Sequence, residues 1–233
     1  VLYNAKMIVL VFDTETNGLP KNPKEMPNIL NCHDWPSIVQ FSYLLYDTNA
    51  RAIILKKNHI IRVPKDVVIT PESIKFHGIT NEISEERGIP IEGALNAFYE
   101  HFKVANLVVA HNVEFDKKFV VAEIMKLTET RRELLNLLGM ATDIACSKKY
   151  YCTMQEGIEL CKIKAYTKVD KKEYFKFPTL TELCNHLFGY EPKNMHNAMN
   201  DVIVCFQCFY KMRFDLNICE ENTEVFEMAA TLM

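Results

Sequence analysis

The chain lacks the features that would divide it. Its 233 residues include only seven glycines, and no Gly/Ser tract or low-complexity stretch separates one part from another. No repeat of about 20–50 residues is present, which argues against solenoid and propeller architectures. One domain with a full core is therefore expected, not an array or two linked units.

Membrane and export signals are also missing. No run of about 18 apolar residues occurs, so neither a spanning helix nor a membrane partner is expected. No charged-then-apolar segment opens the chain. Val1 is not an initiator, and Met7 stands as a candidate start. The expected location is intracellular, cytoplasmic or nuclear/nucleoid. Nor is there a basic excess: 27 Lys and Arg face 30 Asp and Glu, for a net charge of -3. A basic nucleic-acid coat is excluded, but an enzyme that grips phosphate through bound cations is not.

Eight cysteines are present with no secretory context to pair them, so reduced thiols are expected. Cys205 and Cys208 form a C-x-x-C, but no second paired-cysteine motif accompanies it. They lie in VIVCFQCFYKM, an apolar helical pattern, and are read as buried small hydrophobes.

What is present is a set of apolar elements in a definite order. Ile8–Phe12 is β-branched and reads as a buried strand. Lys21–Trp35 is a proline-bearing loop. Ser37–Tyr46 and Ala52–Val63 read as strands joined by a turn at Asp47–Arg51. Helical spacing follows over Ile91–Val104, Glu114–Leu127 and Arg131–Leu138, with strands at Leu107–Ala110 and Tyr150–Met154. Cys161–Phe177 is polar and irregular. Leu180–Phe188 is a helix that Gly189 can cap, and Asp201–Met212 is a strongly apolar last helix. Three strands, then helices alternating with two more, predict an α/β layered domain on a mixed sheet.

Acids stand at the edges of three of these elements. Asp13 and Glu15 end the first strand, in IVLVFDTETNG. Residues i and i+2 of a strand share a face, about 6.7 Å apart, so two carboxylates there can converge on one small cation. Hard oxygen ligands favour Mg²⁺ or Mn²⁺. Asp116, in VVAHNVEFDKKFV, falls in the first turns of a helix after a strand. Asp201, in MHNAMNDVIVC, opens the last helix, and His196 lies five residues before it. Five residues turn about 140° on a helix, so His196 is placed just ahead of the helix on a mobile approach. Each acid alone has a plain alternative: a polar turn, a helix-start Asp, a surface Asp. Together, in this order, they suit phosphodiester hydrolysis with two metal ions.

The blocks Asp13-Thr-Glu15, His111-Asn-x-x-Phe115-Asp116 and His196-Asn-Ala-x-x-Asp201 resemble the three motifs of DEDDh exonucleases, the DnaQ-like family. ITPESIKFHGIT (69–80), PSIVQFS (36–42) and FPTLTELCNHLFGY (177–190) resemble further segments of that family. The resemblance covers roughly residues 7–212, with 213–233 left as a C-terminal extension of unassigned role. It implies an RNase H-like fold, a central five-stranded mixed sheet flanked by helices. It implies 3′→5′ release of nucleoside 5′-monophosphates from a single-stranded DNA or RNA end.

By resemblance, Asp13, Glu15, Asp116 and Asp201 hold two Mg²⁺ or Mn²⁺ ions and His196 is the general base. An unperturbed imidazole, with a pKa of about 6.5, is matched to that role near neutral pH. Thr16, Asn112 and Phe115 are candidate substrate contacts. His77 is either a further contact or an ordinary loop histidine. Two alternatives remain at this stage: a proofreading subunit docked on a polymerase or a replication or repair partner, and a non-catalytic nucleic-acid-binding module. The segment 162–177, KIKAYTKVDKKEYFKF, interleaves lysines with aromatics and is either a substrate-binding loop or a solvated one. The tail CEENTEVFEMAATLM either packs as a helix or engages a partner.

Overall fold

The structure is a computed structural model that describes residues 7–131, 135 and 137–233. Strand β1 (Ile8–Thr16) starts in the apolar run and continues through both acids. It pairs antiparallel with β2 (Ile38–Asp47), which pairs antiparallel with β3 (Ala52–Ile60). The expected turn joins the last two. Asp47 Oδ1 accepts the backbone N–H groups of Asn49 at 2.8 Å and Ala50 at 3.0 Å, the local bonding that makes Asp a turn former. The third strand stops short of the expected Val63: Ile61 N–H still donates to Val39 O at 2.9 Å, but Ile61 also forms a parallel bridge with Ile89, and the pairing with β2 goes no further.

Three helices follow: α1 (Pro71–His77), α2 (Asn81–Arg87) and α3 (Ile91–Val104). Then come β4 (Leu107–Ala110), α4 (Val113–Thr130), α5 (Leu137–Cys146) and β5 (Tyr150–Cys152). Of the helix expected at 131–138, residues 132–134 and 136 lie outside the described residues, and α5 begins only at Leu137. The fifth strand ends at Cys152. The chain then turns into two short helices, α6 (Thr153–Glu156) and α7 (Ile158–Cys161).

The segment read as irregular is not. It holds a hairpin, β6 (Lys164–Tyr166) with β7 (Glu173–Phe175), whose strands are too short for apolar periodicity to announce. Helix α8 (Leu180–Phe188) has a capping box between Thr179 and Glu182, and Gly189 ends it at φ 77°, as expected. Helix α9 (Ala198–Phe214) is longer than its apolar core predicts, and α10 (Ile218–Glu221) and α11 (Thr223–Ala230) complete the chain.

The main sheet has the order β3-β2-β1-β4-β5. The β1–β4 and β4–β5 pairs are parallel, so this is the five-stranded mixed sheet, flanked by helices, of the RNase H-like fold. Alternate residues of its strands feed two cores. Leu10, Phe12, Phe41, Tyr43 and Val108 pack under α3 and α4. Val9, Val11, Leu44, Tyr46 and Val109 pack under α8 and α9. Burial on both faces is why β1 and β2 read as near-continuous apolar runs. Ile218, Val225, Ala229 and Leu232 belong to the second core, so these apolar residues of the tail are used within the chain, whereas Phe226 stays exposed. Cys205 and Cys208 are buried free thiols, as expected. Among the described residues, no helix is long and apolar enough to cross a membrane.

Candidate active site

β1 outruns its parallel neighbour. The β1–β4 register ends at Val11 opposite Val109, whereas β1 continues to Thr16. Asp13 and Glu15 therefore project beyond the carboxyl end of β4, into the crevice where open α/β sheets bind ligands. They share a strand face, as their spacing predicts. Thr14, between them, is buried and turned to α4, where its N–H at 3.0 Å and its hydroxyl at 2.8 Å both donate to Asp116 Oδ1.

Asp116 reaches that position through a two-residue turn from β4. Asn112 adopts φ 72°, a left-handed conformation that Asn tolerates, and α4 starts at the next residue. Asp201 comes from the opposite side, in the first turn of α9. The ligand atoms of Asp13, Glu15 and Asp201 lie within 4.8 Å of one another. Asp116 adjoins this trio, and its charge acts strongly on both Asp13 and Glu15.

The carboxyls resist ionisation together. Burial is the first cause for each, and for Asp13 and Glu15 the neighbouring carboxylates add to it. Glu15 is pushed to about 8, and Asp116 and Asp201 to about 7. Asp13 is also raised although solvent reaches it, because it sits low in a cleft with protein on most sides. Among the described residues, the charges acting on these groups are chiefly each other's, with no lysine or arginine among the leading causes. A hard, all-oxygen donor set with no internal cation fits divalent Mg²⁺ or Mn²⁺.

His196 lies just before α9, as expected, with its ring exposed at the rim. Its backbone is left-handed at φ 64°, and its N–H donates to Asp201 Oδ2 at 3.1 Å. Phe76 packs edge-on to the ring with centroids 5.2 Å apart. The 69–80 segment thus borders the cleft. Gly78 caps α1 at φ 72°, and His77 turns inward. Its Nδ1 accepts from Ile79 N–H at 3.0 Å, and its Nε2 is buried beside the Thr16 carbonyl without a well-formed bond.

The other expected contacts are placed as follows. The Thr16 hydroxyl donates to Gly18 O at 2.8 Å and is engaged within the chain. The Asn112 side chain does not cap its helix. Phe115 is half-buried and packs on Phe119 with centroids 4.6 Å apart.

Two supporting residues were given no role from the sequence, although His111 stands in one of the motif blocks. Gln40, fully buried in β2 opposite Glu15, accepts the Ala198 N–H at 3.1 Å and donates to Asn58 at 2.8 Å, tying the sheet to the start of α9. A lone Gln inside SIVQFSYLLY was the available signal, since a buried amide must be hydrogen-bonded. His111 is a strut. Its Nε2 donates to Pro178 O at 3.1 Å and its Nδ1 accepts from Thr153 Oγ1 at 3.0 Å, with burial lowering its pKa to about 4.

The sequence matches the family model described as Exonuclease (RNase T) over residues 10–209. The chain belongs to that exonuclease family. Its fold is shared with exonuclease I from Methylocaldum szegediense, at 17% identity and TM-score 0.58 over 90% of this chain and 41% of that one. It is shared likewise with E. coli exonuclease I in complex with a dT13 oligonucleotide, at 16% identity and TM-score 0.59 over 95% and 46%. An exonuclease I structure described as suggesting how processivity is achieved aligns at 16% identity and TM-score 0.60 over 97% and 44%. The chain spans less than half the length of these exonucleases. No curated protein is similar enough in sequence to count as a relative.

Proposed function

We propose that the chain is a 3′→5′ exonuclease of the DEDDh type, which removes nucleoside 5′-monophosphates from the 3′ end of single-stranded DNA or RNA. The observation that carries this reading is the convergence of Asp13, Glu15 and Asp201 within 4.8 Å, adjoined by Asp116 and with His196 at the rim. Asp13, Glu15, Asp116 and Asp201 would hold two Mg²⁺ or Mn²⁺ ions. When bound, such ions stabilise the charge that develops on a reacting phosphodiester and make a nearby water more acidic.

The remaining work falls to the chain's own groups. His196 accepts a proton from the attacking water at a ring nitrogen. The water's oxygen bonds to phosphorus as the P–O3′ bond breaks, its electron pair leaves on O3′, and a proton from solvent completes the 3′ hydroxyl while His196 returns its own proton to solvent. The Thr14 donors to Asp116 and the His196 N–H to Asp201 favour the deprotonated forms that a cation needs, against the effect of burial. The Asn112 amide and the Phe115 ring face the terminal nucleotide, the ring by packing or stacking. Thr16, through its main chain, and His77 border its sugar.

A neighbour of this fold is described with dT13 bound, which supports a single-stranded substrate here. A non-catalytic module has no use for four acids that repel one another, so the catalytic reading is preferred. A polymerase-docking tail is disfavoured by the burial of Val225, Ala229 and Leu232 in the chain's own core.

The test is hydrolysis of matched DNA and RNA oligomers, single- and double-stranded, with Mg²⁺, Mn²⁺ or a chelator. Cation-dependent release of mononucleotides from single strands is expected. Oligonucleotide products from internal cuts, or no products with either ion, would overturn the proposal.

A further inference from the structure

The hairpin β6–β7 stands off the body of the protein. Among the described residues, no element other than its partner strand packs appreciably against either strand. A two-stranded hairpin of this length is marginal in water by itself. Yet its aromatics are bare: Tyr166 is 59% exposed, Tyr174 49%, Phe175 39% and Phe177 53%.

The register sorts them. Lys164 lies opposite Phe175 and Tyr166 opposite Glu173, so these four share one face, with Tyr174 on the other. Phe177 follows Phe175 by two residues, and Pro178 after it favours extended backbone, which extends the row. The acids of the hairpin are occupied. Glu173 accepts from Lys164 at 3.4 Å and from Tyr166 at 3.3 Å, and Asp170 bonds Thr167 in the tip. Segment 162–177 carries six lysines against these two acids, inside a chain of net charge -3. Among the described residues, Lys162, Lys168, Lys171 and Lys172 make no ion pair and are exposed.

The root of the hairpin is fixed to the cleft. Pro178 O accepts from His111, which immediately precedes Asn112 and the turn that delivers Asp116. The other side of His111 is held by Thr153.

We infer that this hairpin is a binding surface for the single strand upstream of the terminal nucleotides. Bases stack on Tyr166, Phe175 and Phe177, and Lys168, Lys171 and Lys172 follow the phosphates. The inference rests on the exonuclease reading but concerns a separate surface. A polyanion with flat, apolar bases matches both the local positive charge and the bare rings. An acidic protein would match the charge but leave the aromatic row without a partner.

The test compares two triple variants with wild type: Lys168→Ala/Lys171→Ala/Lys172→Ala, and Tyr166→Ala/Phe175→Ala/Phe177→Ala. All six side chains are exposed, so melting temperatures should match wild type. The probes are a fluorescein-labelled oligo(dT) of about 20 nucleotides and one of about four, on either side of the larger single-strand site sizes. Affinity for the long probe is expected to fall at least about five-fold per ring removed. The lysine variant should flatten the salt dependence, its log–log slope falling by about 2 at about 0.7 per phosphate contact. Cleavage of the short probe should stay at the wild-type rate. Unchanged affinity and salt slope on the long probe overturn the hairpin assignment and leave the exonuclease reading standing. Equal losses on both probes overturn it too, since the surface would not be upstream. A wild-type chain that cleaves neither probe with Mg²⁺ or Mn²⁺ overturns the exonuclease reading and this inference with it.

Discussion

The main-chain N–H of His196 donates to Oδ2 of Asp201 across 3.1 Å, with His196 held at φ 64°. A left-handed backbone costs a non-glycine residue roughly 1–2 kcal/mol, and the bond to a carboxylate offsets part of it. The bend swings the ring to the rim while the backbone stays tied to the acid. The proposed base and the proposed ligand are thereby set at a fixed distance by one peptide group.

That relationship dictates how the ring should be removed. Asn tolerates the left-handed region better than Ala, so His196→Asn should preserve the bend. We expect kcat to fall by about 10²–10⁴-fold, the usual range for a general base, with KM nearly unchanged. Steady-state kinetics on a short oligomer reads this. A rise in KM with kcat intact would assign His196 to binding.

Cation binding should stabilise the fold. Divalent ions relieve the repulsion among Asp13, Glu15 and Asp201, so Mg²⁺ or Mn²⁺ should raise the melting temperature of wild type. Asp13→Asn removes one charge and should shrink that shift while abolishing hydrolysis. Differential scanning fluorimetry with and without each ion checks it. No shift with either ion would contradict the reading of the cleft.

The same carboxyls predict a pH dependence in the absence of cations. Glu15 is raised to about 8 and Asp116 and Asp201 to about 7, so the folded chain holds protons that the unfolded chain has already released. Stability should therefore fall as pH rises from about 4 to about 8. His111, lowered to about 4, acts on the acid side, costing stability as pH drops below its ordinary value, and does so equally in wild type and in a cleft variant. Comparing melting temperatures of wild type and Asp13→Asn in chelator across that range isolates the carboxyls. The variant should show the shallower slope, and equal slopes would count against the coupling.

Most of the sheet was legible because buried strands of β-branched and aromatic residues leave apolar runs that polar turns interrupt. Ile8–Phe12 and Leu107–Ala110 are such runs. The acids were legible only as an ordered set, since each has an ordinary explanation alone. The hairpin at Lys164–Phe175 was not legible, because strands of three residues are too short to show a periodicity. Gln40 was missed for a different reason. Its role depends on a contact 158 residues away, to Ala198, which no local pattern encodes.

Gln40 is accordingly a test of how the last helix is aimed. Gln40→Leu leaves the Ala198 N–H without its acceptor, and a buried orphan donor costs about 1–3 kcal/mol. We expect lower stability together with a weaker Mg²⁺ shift, because Asp201 rides on the same helix. Urea unfolding and metal titration on one sample read both. Lost stability with an unchanged metal response would make Gln40 purely structural.

The most direct measurement follows a label at each end of one oligomer in turn. With Mg²⁺ and a 3′-terminal label, the first product should be labelled mononucleotide. With a 5′ label, a ladder should shorten from the full length, and Asp13→Asn should produce neither. Label released first from the 5′ end, internal fragments, or full activity in Asp13→Asn would contradict a 3′→5′ exonuclease built on these carboxylates.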